Sequence, residues 1–309
     1  MRPPLLPASC FVLLLTGFPL IGLAAAQDPA PLVYGPGRQI ATLADKRVRE
    51  SSGLACSRRT PGVFWTHNDS GDEPVLYAFD HTGRHLATLR VQEARARDWE
   101  DMASFRVGAE PFLLAADVGD NGSTRAYCTL YVVPEPVLDP AKPAATLTAR
   151  PAQVIRFSYE HGPANCESVA VDPTTRTVLL ATKQARGASR VYALPLPDAP
   201  TNEVAVARHV ATVRLPITTA MDVSPDGRRA MILTYGDAYE FSRGSGETWA
   251  QAFANPPRRI AMPRRRQGES ICYGHDGRTL YLTSESKKLP TPLFEVPVVE
   301  PRAAAPAAR

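Results

Sequence analysis

Residues 166–183 read CESVAVDPTTRTVLLATK, two short apolar runs joined by a turn at Asp172-Pro173. The same arrangement returns in residues 269–285, ESICYGHDGRTLYLTSE, where the turn contains Asp276-Gly277. Short runs rich in β-branched and aromatic residues, bounded by Gly, Pro and Asp, are typical of β-strands, and neither stretch has the 3.6-residue period of a helix. Each stretch therefore predicts a β-hairpin.

This hairpin pattern occurs five times along the chain. A third short run with an aromatic residue follows each hairpin, and a fourth run follows in most units. About 40–50 residues per four-stranded unit is the signature of a β-propeller blade. The sequence therefore predicts an all-β fold, a β-propeller of four-stranded blades with five repeats visible. Six blades, or an open array of β-sandwiches, are the alternatives. The repeats start at Ser52, Glu100, Glu167, Met221 and Glu269, with spacings of 48, 67, 54 and 48 residues.

Two segments lie outside the repeated hairpins. Residues 38–43, RQIATL, precede the first repeat, and we expect them to add the outer strand of the last blade, because ring closure of this kind hides sheet edges. The longest unit contains a segment rich in Pro and Ala, Pro136–Pro151, which we interpret as a surface loop. A degenerate sixth blade within this unit is the alternative. Residues 27–302 are predicted to form a single propeller domain, followed by a disordered tail at 303–309.

Composition excludes several classes of protein. The chain has 309 residues, of which 44% are hydrophobic and 21% charged, so neither a disordered chain nor a fibre is expected. The 30 prolines favour many turns over long helices. A formal net charge of +4 is too small to indicate a nucleic-acid partner.

The first residues have the pattern of a targeting signal. Residues 11–25, FVLLLTGFPLIGLAA, are apolar and uncharged, and three consecutive alanines, Ala24, Ala25 and Ala26, precede Gln27. This pattern predicts a secretory signal peptide at 1–26 and a secreted or periplasmic protein with no membrane span after signal removal. A membrane anchor is the alternative, although the run is short and broken by Gly and Pro.

The predicted mature chain keeps four cysteines, and none of them lies in a CxxC motif. Because the repeat makes them neighbours, the disulfide bonds Cys128–Cys166 and Cys56–Cys272 are expected in an oxidising compartment. Four buried thiols are the alternative.

Acidic residues recur in register with the repeat. Glutamate occupies the first repeat position at Glu100, Glu167 and Glu269. Sixteen residues later, after one hairpin, come Asn68, Ala116, Lys183, Asp237 and Glu285, and a slip of one residue brings Asp117 to this position. The first strand of a propeller blade lines the central channel, and the chain returns to the same end of the hairpin. Both sets of residues are therefore expected at one mouth of the channel.

Converging carboxylates need an offsetting charge. Two unit charges about 6 Å apart at an effective dielectric of about 20 repel by roughly 3 kcal/mol. A hard cation with six to eight oxygen ligands is the natural partner, so a calcium site is expected. The alternative is that Lys183, Arg97 or Lys287 pairs with the acids and no metal binds. The predicted ligands are Asn68, Glu100, Asp117, Glu167, Glu269 and Glu285.

Three of the repeated segments resemble a known group of propellers. DWEDMA, NCESVAVDPTTRTVLLATK and GESICYGHDGRTLYLTSE are similar to blades of esterase-like phytase propellers and of SMP-30/strictosidine-synthase-type lactonase propellers. The resemblance covers about residues 48–297. It implies a propeller, usually of six blades, with calcium near the channel, and it implies hydrolysis of a phosphate ester or opening of a lactone ring. It carries over to Glu100, Glu167 and Glu269 as channel acids.

Two functions follow from these residues. The first is an exported ligand-binding module, or a hydrolase of unidentified substrate, with a calcium-binding channel mouth. The second is a metal-dependent hydrolase of a phosphate ester, an ester or a lactone, in which Glu100, Glu167 or Glu269 is the general base. Whether the chain is an enzyme, and whether its ligand is a small molecule or a protein, are left open by the sequence.

Overall fold

A computed structural model describes residues 31–285 and 290–300. The predicted signal peptide at 1–26 and tail at 303–309 lie outside these residues, as does Lys287. The described part contains 21 strands and one short helix. These are β1 (Arg38–Thr42), β2 (Ser51–Cys56), β3 (Val63–Asn68), β4 (Val75–Asp80), β5 (His85–Val91), β6 (Trp99–Val107), β7 (Glu110–Asp117), β8 (Cys128–Pro134), β9 (Ala145–Ala149), β10 (Gln153–Tyr159), β11 (Cys166–Asp172), β12 (Thr177–Thr182), β13 (Ser189–Pro195), β14 (Val204–Val213), β15 (Thr218–Val223), β16 (Arg229–Thr234), β17 (Ala238–Ser242), α1 (Trp249–Ala254), β18 (Arg258–Ile260), β19 (Ser270–Tyr273), β20 (Leu280–Thr283) and β21 (Pro292–Val296).

The strands form five four-stranded antiparallel blades arranged in a ring. Blade 1 is β2-β3-β4-β5, blade 2 is β6-β7-β8-β10, blade 3 is β11-β12-β13-β14, blade 4 is β15-β16-β17-β18, and blade 5 is β19-β20-β21-β1. The innermost strands β2, β6, β11, β15 and β19 each contact the next one, and β19 contacts β2. The predicted β-propeller is confirmed, and the described residues form five blades rather than six.

The strand β1 closes the ring as expected. It precedes blade 1 in sequence but pairs antiparallel with β21, so that Arg38 lies opposite Glu295 and Thr42 opposite Pro292. The last blade is therefore built from both ends of the described chain. This pairing leaves β21 without a free edge.

The insertion in the longest unit is not a sixth blade, and it is not entirely a loop. Residues 145–149 of the segment Pro136–Pro151 form β9, which pairs in parallel with β5 at the outer edge of blade 1. The interpretation of the whole segment as a loop is therefore wrong. Alternating threonines and apolar residues in ATLTA let this short strand lay one face on blade 1. A second parallel pairing, between β10 and β14, joins the outer edges of blades 2 and 3.

The hydrophobic core lies between successive blades. Between blades 1 and 2, Trp65 and Trp99 are almost fully buried together with Met102 and Leu113. Each such side chain contributes roughly 1.5–3 kcal/mol by leaving water. Trp99, which could have been a platform for a ligand, is a packing residue.

A buried carboxylate ties three blades together at the centre of the ring. Asp101 Oδ2 of blade 2 accepts hydrogen bonds from the backbone N–H groups of Val169 in blade 3, at 2.8 Å, and of Met221 in blade 4, at 3.0 Å. Asp222 connects blade 4 to blade 5 in the same way, through the N–H of Tyr273. Burial raises the pKa of Asp101 well above its usual range and that of Asp222 to about 6.

The four described cysteines are buried free thiols, so the predicted disulfide bonds are wrong and the alternative holds. Each predicted pair does share a core cluster: Cys56 with Cys272, and Cys128 with Cys166. Burial raises the pKa of Cys56 to about 12 and that of Cys128 to about 11, so these side chains are neutral packing groups at neutral pH.

The helix α1 is a short connection between β17 and β18, and Thr248 caps it. Within the described ranges, no helix has the length and the apolar character needed to cross a membrane.

Candidate functional site at the channel mouth

The innermost strands begin with a local irregularity that aims one side chain at the channel mouth. In β6 the pairing with β7 skips Glu100, and in β11 the pairing with β12 skips Glu167. An extra residue of this kind is a β-bulge, which bends the strand and redirects a side chain. Glu269 directly precedes β19 and corresponds to the same position. The three predicted channel acids are therefore placed alike by their backbone.

The fourth repeat is aligned differently from the sequence interpretation. In β15 the skipped residue is Thr219, and Met221 pairs with Ile232 just as Met102 pairs with Ala115 in blade 2. The assignment of Met221 to the first repeat position is therefore wrong by two residues. A polar residue two positions before the apolar run, here Thr219, was the available signal.

A second set of residues reaches the mouth from the loops that follow the second strands. Their backbone N–H groups each donate to the carbonyl two residues before the first repeat position of the same blade. This shared hydrogen bond identifies the equivalent residues as Asp69, Gly119, Lys183 and Glu285. Counting 16 residues finds Lys183 and Glu285, but it misses Asp69 by one residue and Gly119 by three.

Two predicted ligands have structural partners away from the mouth. Asn68 Oδ1 accepts hydrogen bonds from the N–H groups of Arg49 and Glu50, at 3.0 and 3.1 Å, and so holds the loop before β2. Asp117 Oδ1 is paired with Arg125 Nη1 at 2.8 Å, and both side chains are buried. The structure does not bring these two side chains into the group of acids described next.

Asp69, Asp98 and Glu100 form a close group of carboxylates in the described part of the chain. One oxygen from each lies within 4.8 Å of the other two. Burial, followed by the carboxylates of Glu167 and Asp69, raises the pKa of Glu100 to about 11. Burial and Asp69 also raise the pKa of Asp98. The quoted segment DWEDMA contains Asp98, but neither Asp69 nor Asp98 is among the ligands predicted from the sequence.

Gly119 makes this group possible. A Cβ atom at Gly119 would stand 2.4 Å from Asp98 Cγ and from Glu100 Oε1, a separation that side-chain atoms do not reach. The position that carries Lys183 in blade 3 is therefore empty of side chain in blade 2. The carboxylates of Asp98 and Glu100 occupy the space instead.

The opposite side of the mouth is neutralised by a lysine. Lys183 Nζ forms an ion pair with Glu167 and donates a hydrogen bond to Tyr235 OH at 2.9 Å. Although burial opposes the shift, the contact with Glu167 raises the pKa of Lys183. For Glu167 the structure thus has the lysine pairing that the sequence left as the alternative to a metal.

The surroundings of Glu269 are intermediate between those of Glu100 and those of Glu167. Its Oε1 accepts a hydrogen bond from Gln267 Nε2 at 2.6 Å, and the same amide donates to Glu285 at 2.5 Å. Burial is the main cause that raises the pKa of Glu269 to about 7. At neutral pH this carboxyl group is divided between its two protonation states, which is the condition a general base needs.

The group of Asp69, Asp98 and Glu100 fits a hard cation. It supplies carboxylate oxygens, which calcium prefers, and it leaves other coordination positions for carbonyls, water or a ligand. These carboxylate oxygens can come together because Gly119 has no side chain to fill the space between them. The remaining predicted acids lie nearby but have protein partners: Glu167 with Lys183, and Glu269 and Glu285 with Gln267.

Comparisons with known proteins find a remote structural likeness. No protein-family model matches the sequence, and no curated protein matches it. One similar solved structure is a gluconolactonase from Xanthomonas campestris, with a TM-score of 0.47 and 13% sequence identity over 89% of this chain and 100% of that chain. A likeness this remote assigns no activity to the chain.

Proposed function

We propose that the channel mouth binds a calcium ion through Asp69, Asp98 and Glu100, and that the protein uses this ion to hold a ligand. The observation that carries the proposal is the convergence of three carboxylate oxygens within 4.8 Å of one another. Like charges at such separations repel by several kcal/mol unless a proton or a cation intervenes.

Protons and calcium compete for this site. With its pKa raised to about 11, Glu100 is protonated at neutral pH when no cation is present. A divalent ion displaces that proton, so calcium binding releases protons and its affinity increases with pH. A site that was merely a cluster of surface acids would show neither effect.

The ligand side of the site is open to solvent at Asp69 and Asp98, which are partly exposed, whereas Glu100 is buried. Three protein oxygens leave a calcium ion several coordination positions. An oxygen-bearing ligand, such as a carbonyl, carboxylate or phosphoryl group, completes the set. This arrangement suits a binding module and a hydrolase equally.

Hydrolysis is the second candidate, and the pKa of Glu269, raised to about 7, favours it. In this role Glu269 takes a proton from the attacking water. Lys183 and Tyr235, which are joined at 2.9 Å, donate hydrogen bonds to the oxygen on which negative charge develops. A calcium ion held by Asp69, Asp98 and Glu100 would supply Lewis-acid polarisation of the ester, lactone or phosphate-ester oxygen. Fold alone does not choose between the two candidates.

Export is part of the proposal. The signal peptide expected at 1–26 directs the chain to the periplasm or the medium. Fractionation of producing cells, with immunodetection of the mature chain, tests this, and retention of the uncleaved chain in the cytoplasm would contradict it.

Calorimetric titration with calcium, after removal of metal by EGTA, tests the cation site. We expect binding at Asp69, Asp98 and Glu100, with about one proton released per ion near neutral pH, because Glu100 is protonated there when no cation is bound. The variant D98N is expected to weaken binding at least tenfold, because it removes a charged ligand. The matched control is E285Q, which changes an acid of the same mouth outside the group.

Absence of a calcium signal in the unaltered protein would contradict the site. Equal losses of calcium affinity in D98N and E285Q would mean that the general negative charge of the mouth attracts the ion. Hydrolysis is tested separately with panels of esters, lactones and phosphate esters, with and without calcium. The hydrolase candidate requires turnover that E269Q abolishes while calcium binding is retained.

A further inference from the structure

A groove lined by arginines lies on blade 2, next to the acidic mouth but separate from it. Its volume is about 580 Å³. It lies between the loop before β6, the loop before β8 and the outer strand β10. We call it the arginine groove and define it by Arg95, Arg97, Arg125, Arg156, Tyr127 and Tyr131.

The loop that carries two of these arginines is held firmly. The N–H of Arg95 donates to Tyr131 OH at 3.1 Å, and its carbonyl accepts from Trp99 Nε1 at 3.0 Å. Three residues later, the N–H of Asp98 donates to Asp117 Oδ1 at 3.1 Å. Because side chains from the blade fix this backbone at both ends, Arg95 and Arg97 project from a preorganised support.

Arg125 forms the floor of the arginine groove. It is 8% exposed, and its Nη1 donates to Asp117 Oδ1 and to the carbonyl of Gly119, both at 2.8 Å. Its Nε is buried and has no hydrogen-bond partner. A buried N–H of a charged group without an acceptor is costly, so Arg125 Nε is a donor that an oxyanion could satisfy.

The charges of the groove do not balance. Asp117 is already paired with Arg125, and Glu93 is paired with Arg150 at 3.4 Å. Among the described residues, the exposed side chains of Arg95 and Arg97 have no ion pair, and the guanidinium of Arg156 stands 5.9 Å from the ring centre of Tyr127. The groove therefore offers several guanidinium groups to an anion.

A basic groove on blade 1 makes a useful contrast. It is lined by Lys46, Arg47, Arg49 and Arg90, of which Arg47 and Arg90 are paired with Asp45 and Glu73. Arginine content alone therefore does not distinguish the two grooves. The features that distinguish the arginine groove are the buried Nε of Arg125, which has no hydrogen-bond partner, and the exposed aromatic ring of Tyr127.

We infer that the arginine groove binds an oxyanion carried on a ring. Guanidinium groups present parallel N–H donors that match the oxygens of a phosphate or a carboxylate. Tyr127, which is 45% exposed, offers an aromatic face for the ring that carries the anion. Phosphate and carboxylate share this recognition chemistry. The inference does not depend on the calcium site.

The test is calorimetric titration with phenyl phosphate and with benzoate, in low salt and in the presence of EGTA. EGTA keeps the calcium proposal out of the result, so either proposal can fail alone. We expect both probes to bind, and the tighter one identifies the preferred oxyanion. Phenol, which has the ring without the anionic group, is expected not to bind.

Three variants sharpen the test. The double variant R95Q/R97Q changes exposed side chains, so it is expected to fold normally and to weaken both probes about tenfold. Y127A is expected to weaken phenyl phosphate but not inorganic phosphate. The matched control is R90Q, from the groove on blade 1, which is expected to leave both affinities unchanged.

The inference is overturned if neither phenyl phosphate nor benzoate binds at millimolar concentration. It is also overturned if R95Q/R97Q and R90Q lower the affinity equally, since the attraction would then come from overall charge. A third result against it is that the protein binds inorganic phosphate as tightly as phenyl phosphate, with Y127A changing neither affinity. That result would contradict the inference that the ligand carries a ring.

Discussion

Glu100 and Glu167 occupy the same position of neighbouring blades, yet their surroundings differ. Beside Glu167 the following loop supplies Lys183, which neutralises it. Beside Glu100 the equivalent residue is Gly119, so the carboxylates of Asp98 and Glu100 occupy the space, and Asp69 completes the group of acids. The repeated glutamate therefore does not define a site by itself. The residue that faces it from the loop after the second strand decides whether the position is a salt bridge or a candidate cation site.

The largest expected effect comes from removing the carboxylate charges around Glu100, where no lysine neutralises them. A ligand at a hundredfold excess over its Kd stabilises the native state by about 2.7 kcal/mol. The double variant D98N/E100Q is expected to lose this calcium-dependent gain in unfolding free energy, whereas E167Q keeps it. Thermal and urea unfolding, with calcium and with EGTA, measure the difference. A calcium response lost in E167Q and kept in D98N/E100Q would reverse the comparison.

The next largest effect concerns Glu167, which Lys183 neutralises. K183M leaves Glu167 buried without its partner, so we expect a loss of about 2 kcal/mol in unfolding free energy, below the range for fully buried pairs because the lysine is partly exposed. The double variant K183M/E167Q is expected to recover much of this loss. Urea unfolding of the four proteins forms a double-mutant cycle, and additive losses would show that the pair is not coupled.

A third prediction concerns pH. The folded-state pKa of Glu269 is raised to about 7, above its ordinary value, so between about pH 4.5 and pH 7 the folded protein binds more protons than the unfolded chain. Stability contributed by this group therefore falls as pH rises through that window, by at most about 1.4 kcal/mol per pH unit. In EGTA, E269Q is expected to show a shallower fall than the unaltered protein. Parallel curves would contradict the raised pKa.

The smallest expected effect tests whether the missing side chain at Gly119 explains the difference between Glu100 and Glu167. In G119A the added methyl group displaces the carboxylates of Asp98 and Glu100, so calcium binding is expected to weaken roughly fivefold, or about 1 kcal/mol. G122A changes a glycine of the same loop whose Cβ would meet no atom closer than 3.6 Å, so it serves as the control. Equal affinities in the two variants would show that the space over Gly119 is not needed.

The sequence predicts the architecture well because the hydrophobic pattern repeats. The turns, the strand lengths and the closing strand at 38–43 can all be read from local residues. The three channel glutamates follow from the same repeat, since each precedes an apolar run in the same way.

The rest of the site depends on insertions that the pattern does not show. A count of 16 residues holds where Lys183 and Glu285 follow their hairpins, but it fails at Asp69 and Gly119, where extra residues lengthen blades 1 and 2. The hydrogen-bond partners of Asn68 and Asp117 lie in loops that the 16-residue count does not include. The arginine groove combines three segments of chain, so no single stretch of sequence indicates it.

The pairing of β1 with β21 also sets the order of events during synthesis. Of the described strands, the first to leave the ribosome is β1, and it pairs with the last, β21; their paired residues Arg38 and Glu295 are separated by almost the whole described chain. The strand β1 therefore stays unpaired until β21 has been made, near the end of the described chain. Contacts this distant in sequence form slowly, and an open edge invites pairing with other chains. Ring closure is thus the step at which a second nascent copy, supplying its own β1, competes with correct folding.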